Sequence, residues 1–321
     1  MNDLFISTTT FGASDKTPLN KLEQAGISYS LNPHKRKLLP EETAVLAKDS
    51  IGLIAGIEDL ESLVRSSENI KLICRLGVGL ENVPFDLCQE KNIKVSFTPD
   101  AVTPAIAELT ISLMLAVARK LCVSDKNIRL GDWQRKLGVR IGGSTIGLIG
   151  FGRVGQMVAE LLLSFKPKLV LVYDTYLNQE QVHKMEEKGL NIKPVSLDEM
   201  LKTADIVSLH VGLNDSTRNM ISGQEMVIMK NDSILINTSR GGIVNEQDLY
   251  LALEKGDIGG AALDVFEEEP YNGPLTKLEN VLLSPHQGSA TKDCRAKMEM
   301  EAVDEVIRFI EGKPLKQEVS I

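Results

Sequence analysis

The amino-acid sequence predicts an α/β protein organised around doubly wound parallel sheets. Three observations carry the prediction. Short apolar runs alternate with helical patterns along nearly the whole chain, and a glycine triplet spaced as GxGxxG follows one such run directly. The length, 321 residues, corresponds to about two domains of ordinary size.

The triplet lies in the stretch around which the rest is ordered, STIGLIGFGRVGQMVAELLLSFKPKLVLVYD over residues 144–174. Residues 146–149 read as a buried parallel strand, because an unbroken apolar run needs both faces covered. Gly150 then permits a tight turn, Gly152 lets backbone approach a pyrophosphate, and Gly155 lets helix pack on strand. A helix follows from Arg153 to about Phe165. Its unpaired first amides and positive dipole end stabilise an anion. Pro167 stops it, residues 169–173 form a second apolar strand, and Asp174 ends that strand about twenty residues past the glycines, where a ribose hydroxyl needs an acceptor. A tight turn without a ligand is the alternative for a lone GxGxxG; here strand, helix, second strand and terminal acid accompany it, and a dinucleotide site is expected.

Ahead of this stretch, residues 4–98 alternate strand candidates (LFIST, ISYSL, GLIAG, KLICRLGVG, IKVSF) with helical patterns at 18–25, 40–48, 60–66 and 85–91. That rhythm predicts a parallel sheet wrapped by helices. Leu76, Gly77, Val78 and Gly79 end one of its strands. Their two glycines allow backbone amides to approach a small anion such as a carboxylate, with a plain turn as the equal alternative. Residues 99–103 read as a turn and 103–120 as a long helix able to bridge two β-α-β regions. Trp133 falls in a less regular basic stretch that ends at Gly142 and Gly143. Beyond Asp174, strands are expected at 205–210, 233–237, 259–265 and 281–283, which with the first two make six. Ser196 with Glu199 and Ser222 with Glu225 fit capping boxes that start helices after turns at Pro194 and Ile221, and a last helix at about 292–311 closes on Gly312 and Pro314.

Composition narrows the function classes. Hydrophobic residues at 43% and charged residues at 25% are ordinary for a globular protein, and a net charge of -8 argues against a nucleic-acid surface. Cys74, Cys88, Cys122 and Cys294 have neither zinc nor redox spacing, so no metal is expected and buried reduced thiols are. The opening MNDLFISTTTFG has no basic leader or long apolar core, and residues 103–118 fall short of about 20 and contain Glu108. A cytoplasmic protein without a membrane span is the expectation.

In doubly wound sheets ligands lie beyond the carboxyl ends of the strands. His34 and His183 sit in charged surroundings and read as solvated, whereas His210 and His286 each follow an apolar strand, where either can act as acid or base or merely cap the strand. Arg240, between SILINTS and a glycine pair, has the geometry to hold a carboxylate with two parallel hydrogen bonds, or is a surface arginine in a turn. Asp264 ends the strand GGAALD, suited to accept from a carboxamide or to cap the turn. Spacing does not choose among Glu267, Glu268 and Glu269.

GFGRVG with Asp174, NTSRGG around Arg240, ALDVFEEEP ending on Glu269, and SPHQGSAT with His286 resemble the D-2-hydroxyacid dehydrogenase family in the right order, and RLGVGLENV is similar to its substrate loop. The likeness spans nearly the whole chain and is nearest to phosphoglycerate dehydrogenase-like members without a regulatory tail. It implies NAD as cofactor and a small 2-hydroxy or 2-oxo acid as substrate, 3-phosphoglycerate, hydroxypyruvate or glyoxylate, with a three-carbon acid bearing a hydroxyl or phosphate expected to outperform pyruvate. By position it makes Arg240 the binder of the substrate carboxylate and keto oxygen, His286 the general acid and Glu269 its orienting partner. It puts the amides of Leu76, Gly77, Val78 and Gly79 on the substrate carboxylate, Arg153 and Val154 over the pyrophosphate, Asp174 on the adenosine ribose, and Thr238 and Asp264 near the nicotinamide. Gly150, Gly152, Gly155, His210, Val211, Ser239, Arg240, His286 and Gly288 complete the implied cofactor set. A split chain is implied as well: 1–98 plus 287–321 as a flavodoxin-like substrate domain, 99–286 as a Rossmann cofactor domain, and a homodimer formed through the cofactor domains.

The sequence departs from that family in places. Gly212 stands where proline is usual, Glu81 replaces an aspartate, Gln287 follows the histidine, and Gly56-Ile57-Glu58 lacks the basic residues that follow the third strand in less similar phosphoglycerate dehydrogenases. The rival function is an NAD-sensing, corepressor-like binding protein on the same fold. The joint presence of Arg240, Glu269 and His286 favours catalysis.

Overall fold

A computed structural model describes residues 3–319. The chain divides into two units, Met1–Ala105 with Ser289–Ile321, and Ile106–Gly288. The first carries β1 (Leu4–Ile6), α1 (Thr17–Gln24), β2 (Tyr29–Leu31), α2 (Pro40–Ala47), β3 (Gly52–Ala55), α3 (Glu61–Ser66), β4 (Leu72–Arg75), α4 (Phe85–Glu90) and β5 (Lys94–Phe97). These strands are all parallel, in the order β2-β1-β3-β4-β5. This is the flavodoxin-like order, which places a topological switch beside β1 and β3. The inner strands are buried on both faces, as their unbroken apolar sequences require.

Helix α5 (Pro99–Ala118) contains the division between the units, and α6 (Leu121–Arg129) follows it. The sequence expectation of a turn at 99–103 is corrected: Pro99 opens the helix, where its missing N–H costs nothing. At 20 residues α5 is, among the described residues, the one helix long and apolar enough to cross a membrane by length and composition. Its residues Ala107, Ile111, Leu113, Met114 and Ala118 nevertheless belong to the buried core of the second unit. Lys120, with φ +53, ends the helical path and α6 restarts it, a break that apolar periodicity does not reveal.

The second unit continues with β6 (Thr145–Ile149), α7 (Arg153–Leu162), β7 (Leu169–Tyr173), α8 (Gln179–Glu187), β8 (Ile192–Pro194), α9 (Leu197–Thr203), β9 (Ile206–Leu209), α10 (Gly223–Ile228), β10 (Ile234–Asn237), α11 (Glu246–Lys255), β11 (Gly260–Leu263) and β12 (Val281–Leu283). Its sheet is parallel throughout, ordered β12-β11-β10-β9-β6-β7-β8. The expected count of six strands is corrected to seven by β8. That strand pairs only with β7, and on such an edge a proline leaves no ladder bond unmade. Alternating residues of each strand feed two cores: Ile146, Leu148, Val170, Val172, Ile234 and Ile236 pack with α5 and α7, while Ile149, Leu171, Leu209 and Leu235 pack with α9 and α11. Helix α12 (Lys292–Ile310) returns the chain to the first unit.

Of the cysteines, Cys74, Cys88 and Cys294 are buried and Cys122 is exposed, against the expectation of four buried thiols. Cys122 lies on α6, which has no buried residue.

Candidate active site

The order of the seven-stranded sheet reverses between β6 and β9, the place beyond whose carboxyl ends a doubly wound sheet takes its ligand. Both sides of it are backbone in close approach. Gly150 has φ +95, and a Cβ there would lie 2.6 Å from the carbonyl oxygen of His210; a Cβ on Gly155 would lie 2.2 Å from the Gly150 carbonyl oxygen. A Cβ on Gly152 would meet nothing within 4 Å. Two glycines are therefore required by packing and the third faces open space at the start of α7. Gly152 is the N-cap of α7 and offers no side-chain acceptor, so Arg153 and Val154 begin a ten-residue helix with unclaimed amides and a positive dipole end. This cradle fits a pyrophosphate. Asp174 accepts from Phe151 N at 2.6 Å and from Tyr176 N at 2.8 Å, so its carboxylate ties the glycine loop to the end of β7.

His210 directly follows β9, and the Val211 side chain packs at Gly150. The His210 residue keeps some exposure, yet both ring nitrogens are buried and make no hydrogen bond. Burial pushes its imidazole down to about 4, so the ring is neutral at neutral pH.

The opposite end of the same strand pole is held by polar contacts. Asp264, 1% exposed at the end of β11, accepts from Ser284 Oγ at 2.5 Å, Gln287 N at 2.9 Å and Gly288 N at 2.9 Å, and its carbonyl accepts from His286 N at 2.8 Å. That shell fixes His286 in the left-handed region, φ +49, with its ring toward Glu269. His286 Nδ1 lies 2.8 Å from Glu269 Oε2, and Phe266 N donates to Glu269 Oε1 at 3.1 Å. One carboxylate oxygen is anchored on backbone and the other on the ring, which leaves Nε2 as the outward nitrogen. The histidine side chain is 48% exposed.

Arg240 follows β10 in a turn. Its Nη1 donates to the carbonyl of Ser239 at 2.7 Å. Gly241 must be glycine, since a Cβ would lie 1.9 Å from Phe266 O; this contact links the arginine turn to the backbone that anchors Glu269. Thr238 is buried and its hydroxyl lies 2.8 Å from that of Thr110, which donates to the Ile106 carbonyl. Thr238 is thus the donor to Thr110 and keeps acceptor capacity.

In the first unit, the loop Leu76, Gly77, Val78 and Gly79 follows β4. Leu76 N bonds to Ala55 O at 2.9 Å and Gly77 N to Thr98 Oγ1 at 2.8 Å. Two of the four amides expected to meet an anion are therefore engaged inside the protein, and those of Val78 and Gly79 find no partner among the described residues. After β3, Glu58 is 2% exposed and turns inward, accepting from Ser7 Oγ and from Gly56 N at 2.9 Å. The position where a cation would grip a phosphate holds a buried carboxylate, and Arg75, 9% exposed, folds onto the Leu76 carbonyl.

Sequence reasoning missed Asn237, Thr98, Thr110, Ser284 and Glu246, which accepts from Glu267 N at 2.6 Å. Only Asn237 carried a readable signal, as an Asn at the start of a Thr-Ser-Arg-Gly turn. Among the described residues no group of acidic, histidine and cysteine side chains is arranged to hold a metal.

Residues 111–288 match the family model of the D-isomer specific 2-hydroxyacid dehydrogenase, NAD binding domain. A glyoxylate reductase of Thermococcus litoralis is 38% identical over 310 residues, 92% of each chain. A D-3-phosphoglycerate dehydrogenase of Methanocaldococcus jannaschii is 36% identical over 281 residues; the match covers 86% of this chain but 53%, about half, of that relative's length. The crystal structure of a D-lactate dehydrogenase with NAD+ from Lactobacillus jensenii superposes with a TM-score of 0.81 at 27% identity, covering 99% of this chain and all of that one. With the glycine cradle, the seven-stranded sheet and these likenesses together, the chain belongs to the NAD-dependent D-2-hydroxyacid dehydrogenase family.

Proposed function

We propose that the protein moves a hydride between NAD and a small 2-oxo or 2-hydroxy acid, with the pair His286 and Glu269 at 2.8 Å as the observation that carries the reading. NADH, when bound, supplies the hydride. His286 donates the proton that the developing alkoxide needs, from its outward Nε2. Glu269 holds the ring's other nitrogen and so keeps Nε2 turned outward. Arg240 takes the carboxylate and the adjacent keto oxygen of the acid, because a planar fork with several donors matches both. Asp264 places the His286 loop and, with Thr238, offers acceptors to a carboxamide. Gly150, Gly152, Arg153, Val154 and Gly155 cradle the pyrophosphate, Asp174 meets the ribose, and His210, Val211, Ser239 and Gly288 line the cofactor. In the first unit the free amides of Val78 and Gly79 form a carboxylate-binding loop.

The substrate we favour is unphosphorylated: glyoxylate or hydroxypyruvate. The inward carboxylate of Glu58 is what separates this reading from 3-phosphoglycerate. The enzyme names of the relatives also favour a catalyst over an NAD-sensing corepressor. A cytoplasmic homodimer is proposed as well. Residues 119–140 contain no buried side chain, with Trp133 80% and Leu137 91% exposed, beside a groove of about 440 Å³ lined by Val117, Val123, Val281 and Leu282. Exposed apolar arms beside an apolar groove suit a self-complementary interface.

The deciding experiment is a side-by-side assay of glyoxylate, hydroxypyruvate, pyruvate and a branched 2-oxo acid with NADH, and of D-3-phosphoglycerate with NAD. Hydroxypyruvate or glyoxylate should lead by kcat/KM. A branched acid in the lead, or preferred use of the phosphorylated acid, would show the substrate assignment wrong.

A further inference from the structure

Asn237 is the last residue of β10 and is 1% exposed. Its side chain makes three bonds, all to the three-residue turn that presents Arg240. Oδ1 accepts from Ser239 N at 3.0 Å and Ser239 Oγ at 2.7 Å, and Nδ2 donates to the Arg240 carbonyl at 2.9 Å. The orientation of the amide is dictated by chemistry, because a backbone N–H can only donate and a carbonyl can only accept. A neutral side chain with one acceptor and one donor on the same planar group is needed, and among the amino acids of this size only asparagine supplies it.

The Arg240 backbone is thereby clamped from two directions. Asn237 holds it from the strand side, and on the other the Gly241 backbone lies against Phe266 and Glu267. The guanidinium is in turn folded onto the Ser239 carbonyl, whose own N–H and hydroxyl belong to Asn237. A shift of the turn therefore moves the guanidinium with it.

From this we infer that Asn237 is a positioning residue for substrate recognition: its carboxamide sets where Arg240 presents its fork. The inference rests on the reading of Arg240 as the carboxylate binder. Asn237→Asp is nearly the same size but replaces the donor with a carboxylate oxygen facing the Arg240 carbonyl, so the turn must open there. A displacement of about 1 Å in a binding group can cost about a hundredfold.

The test uses the full-length protein, the best 2-oxo acid from the screen above, and three variants: Asn237→Asp, Arg240→Ala and the double variant. Asn237→Asp should lower kcat/KM for the acid about a hundredfold, chiefly by raising its KM, while the NADH Kd measured by nucleotide fluorescence changes less than about threefold. In the Arg240→Ala background the same change should cost less than about threefold more, because the group being positioned is already gone. A purely structural asparagine would cost the same factor in both backgrounds, and that result overturns the inference, as does wild-type kcat/KM in Asn237→Asp. If Arg240→Ala itself keeps wild-type kcat/KM, the reading of Arg240 fails and takes the inference with it; an impaired Arg240→Ala beside an unimpaired Asn237→Asp overturns the inference alone. Should Asn237→Asp not fold, Asn237→Ser, which cannot make all three bonds, is judged by the same thresholds.

Discussion

His210 and His286 both follow strands of one parallel sheet, at the same pole, and their surroundings make them opposite kinds of residue. His210 has buried ring nitrogens without partners, beside glycine backbone. His286 is held at a left-handed backbone angle by the shell of Asp264 and points one nitrogen at Glu269. The difference teaches where each chemistry belongs. Uncharged, closely packed backbone suits the cofactor end of that pole, and paired polar groups suit the end where a proton must move.

The sharpest way to break the contrast is to remove the hub at the polar end. Asp264→Ala would leave Ser284 Oγ, Gln287 N and Gly288 N without their buried acceptor. A stability loss of about 3 kcal/mol is expected by denaturant titration, with turnover falling too as His286 loses its setting. A loss under about 1 kcal/mol would mean that the shell holds nothing.

At the cofactor end, Asp174 already carries two backbone bonds and a negative charge, and Thr175 and Tyr176 follow without an arginine. A 2'-phosphate there would be repelled, so kcat/KM with NADH should exceed that with NADPH by at least about tenfold, or about 1.4 kcal/mol. Equal use of both nucleotides contradicts the placement of Asp174 on the ribose.

Glu269→Ala removes the carboxylate that holds His286 Nδ1 and Phe266 N. Turnover of the 2-oxo acid should fall by about fivefold while the NADH Kd stays nearly unchanged. Wild-type turnover would show that Glu269 does not orient the ring.

The smallest effect concerns His210 and stability. Its folded value, about 4, lies below the ordinary 6.5, so the unfolded chain binds the extra proton across that window. The contribution is full above pH 6.5 and is lost as pH falls toward 4, costing about 1 kcal/mol between pH 6 and pH 5. His210→Asn should flatten that part of the acid-unfolding curve. An unaltered slope would show that the ring is protonated in the native state.

The sequence made the frame legible because parallel strands and a phosphate-binding turn leave period and spacing in the chain. Residues 146–149 and the glycines that follow are an example: their apolar run and their turn have no other economical use. The strand Ile192–Pro194 leaves no mark in the sequence because three residues ending in proline carry no period. Pro99 reads as a turn because a proline that opens a helix and one that ends it look alike without the backbone. At the site, Arg240 and His286 stand out by their places after apolar strands, whereas Glu269 is singled out from its neighbours only by the ordered motifs. The roles of Thr98 and Asp264 as clamps are not legible there, since which donor fills which acceptor depends on contacts up to 24 residues apart in sequence.

The most direct test of the account mixes the enzyme–NADH complex with a saturating 2-oxo acid and follows a single turnover through the loss of reduced-nicotinamide absorbance. Wild type and His210→Asn should react at rates within about threefold of each other, while His286→Ala should be slower by about a hundredfold or more with NADH still bound. A slow His210→Asn beside a near-normal His286→Ala would reverse the assignment and contradict the account at its centre.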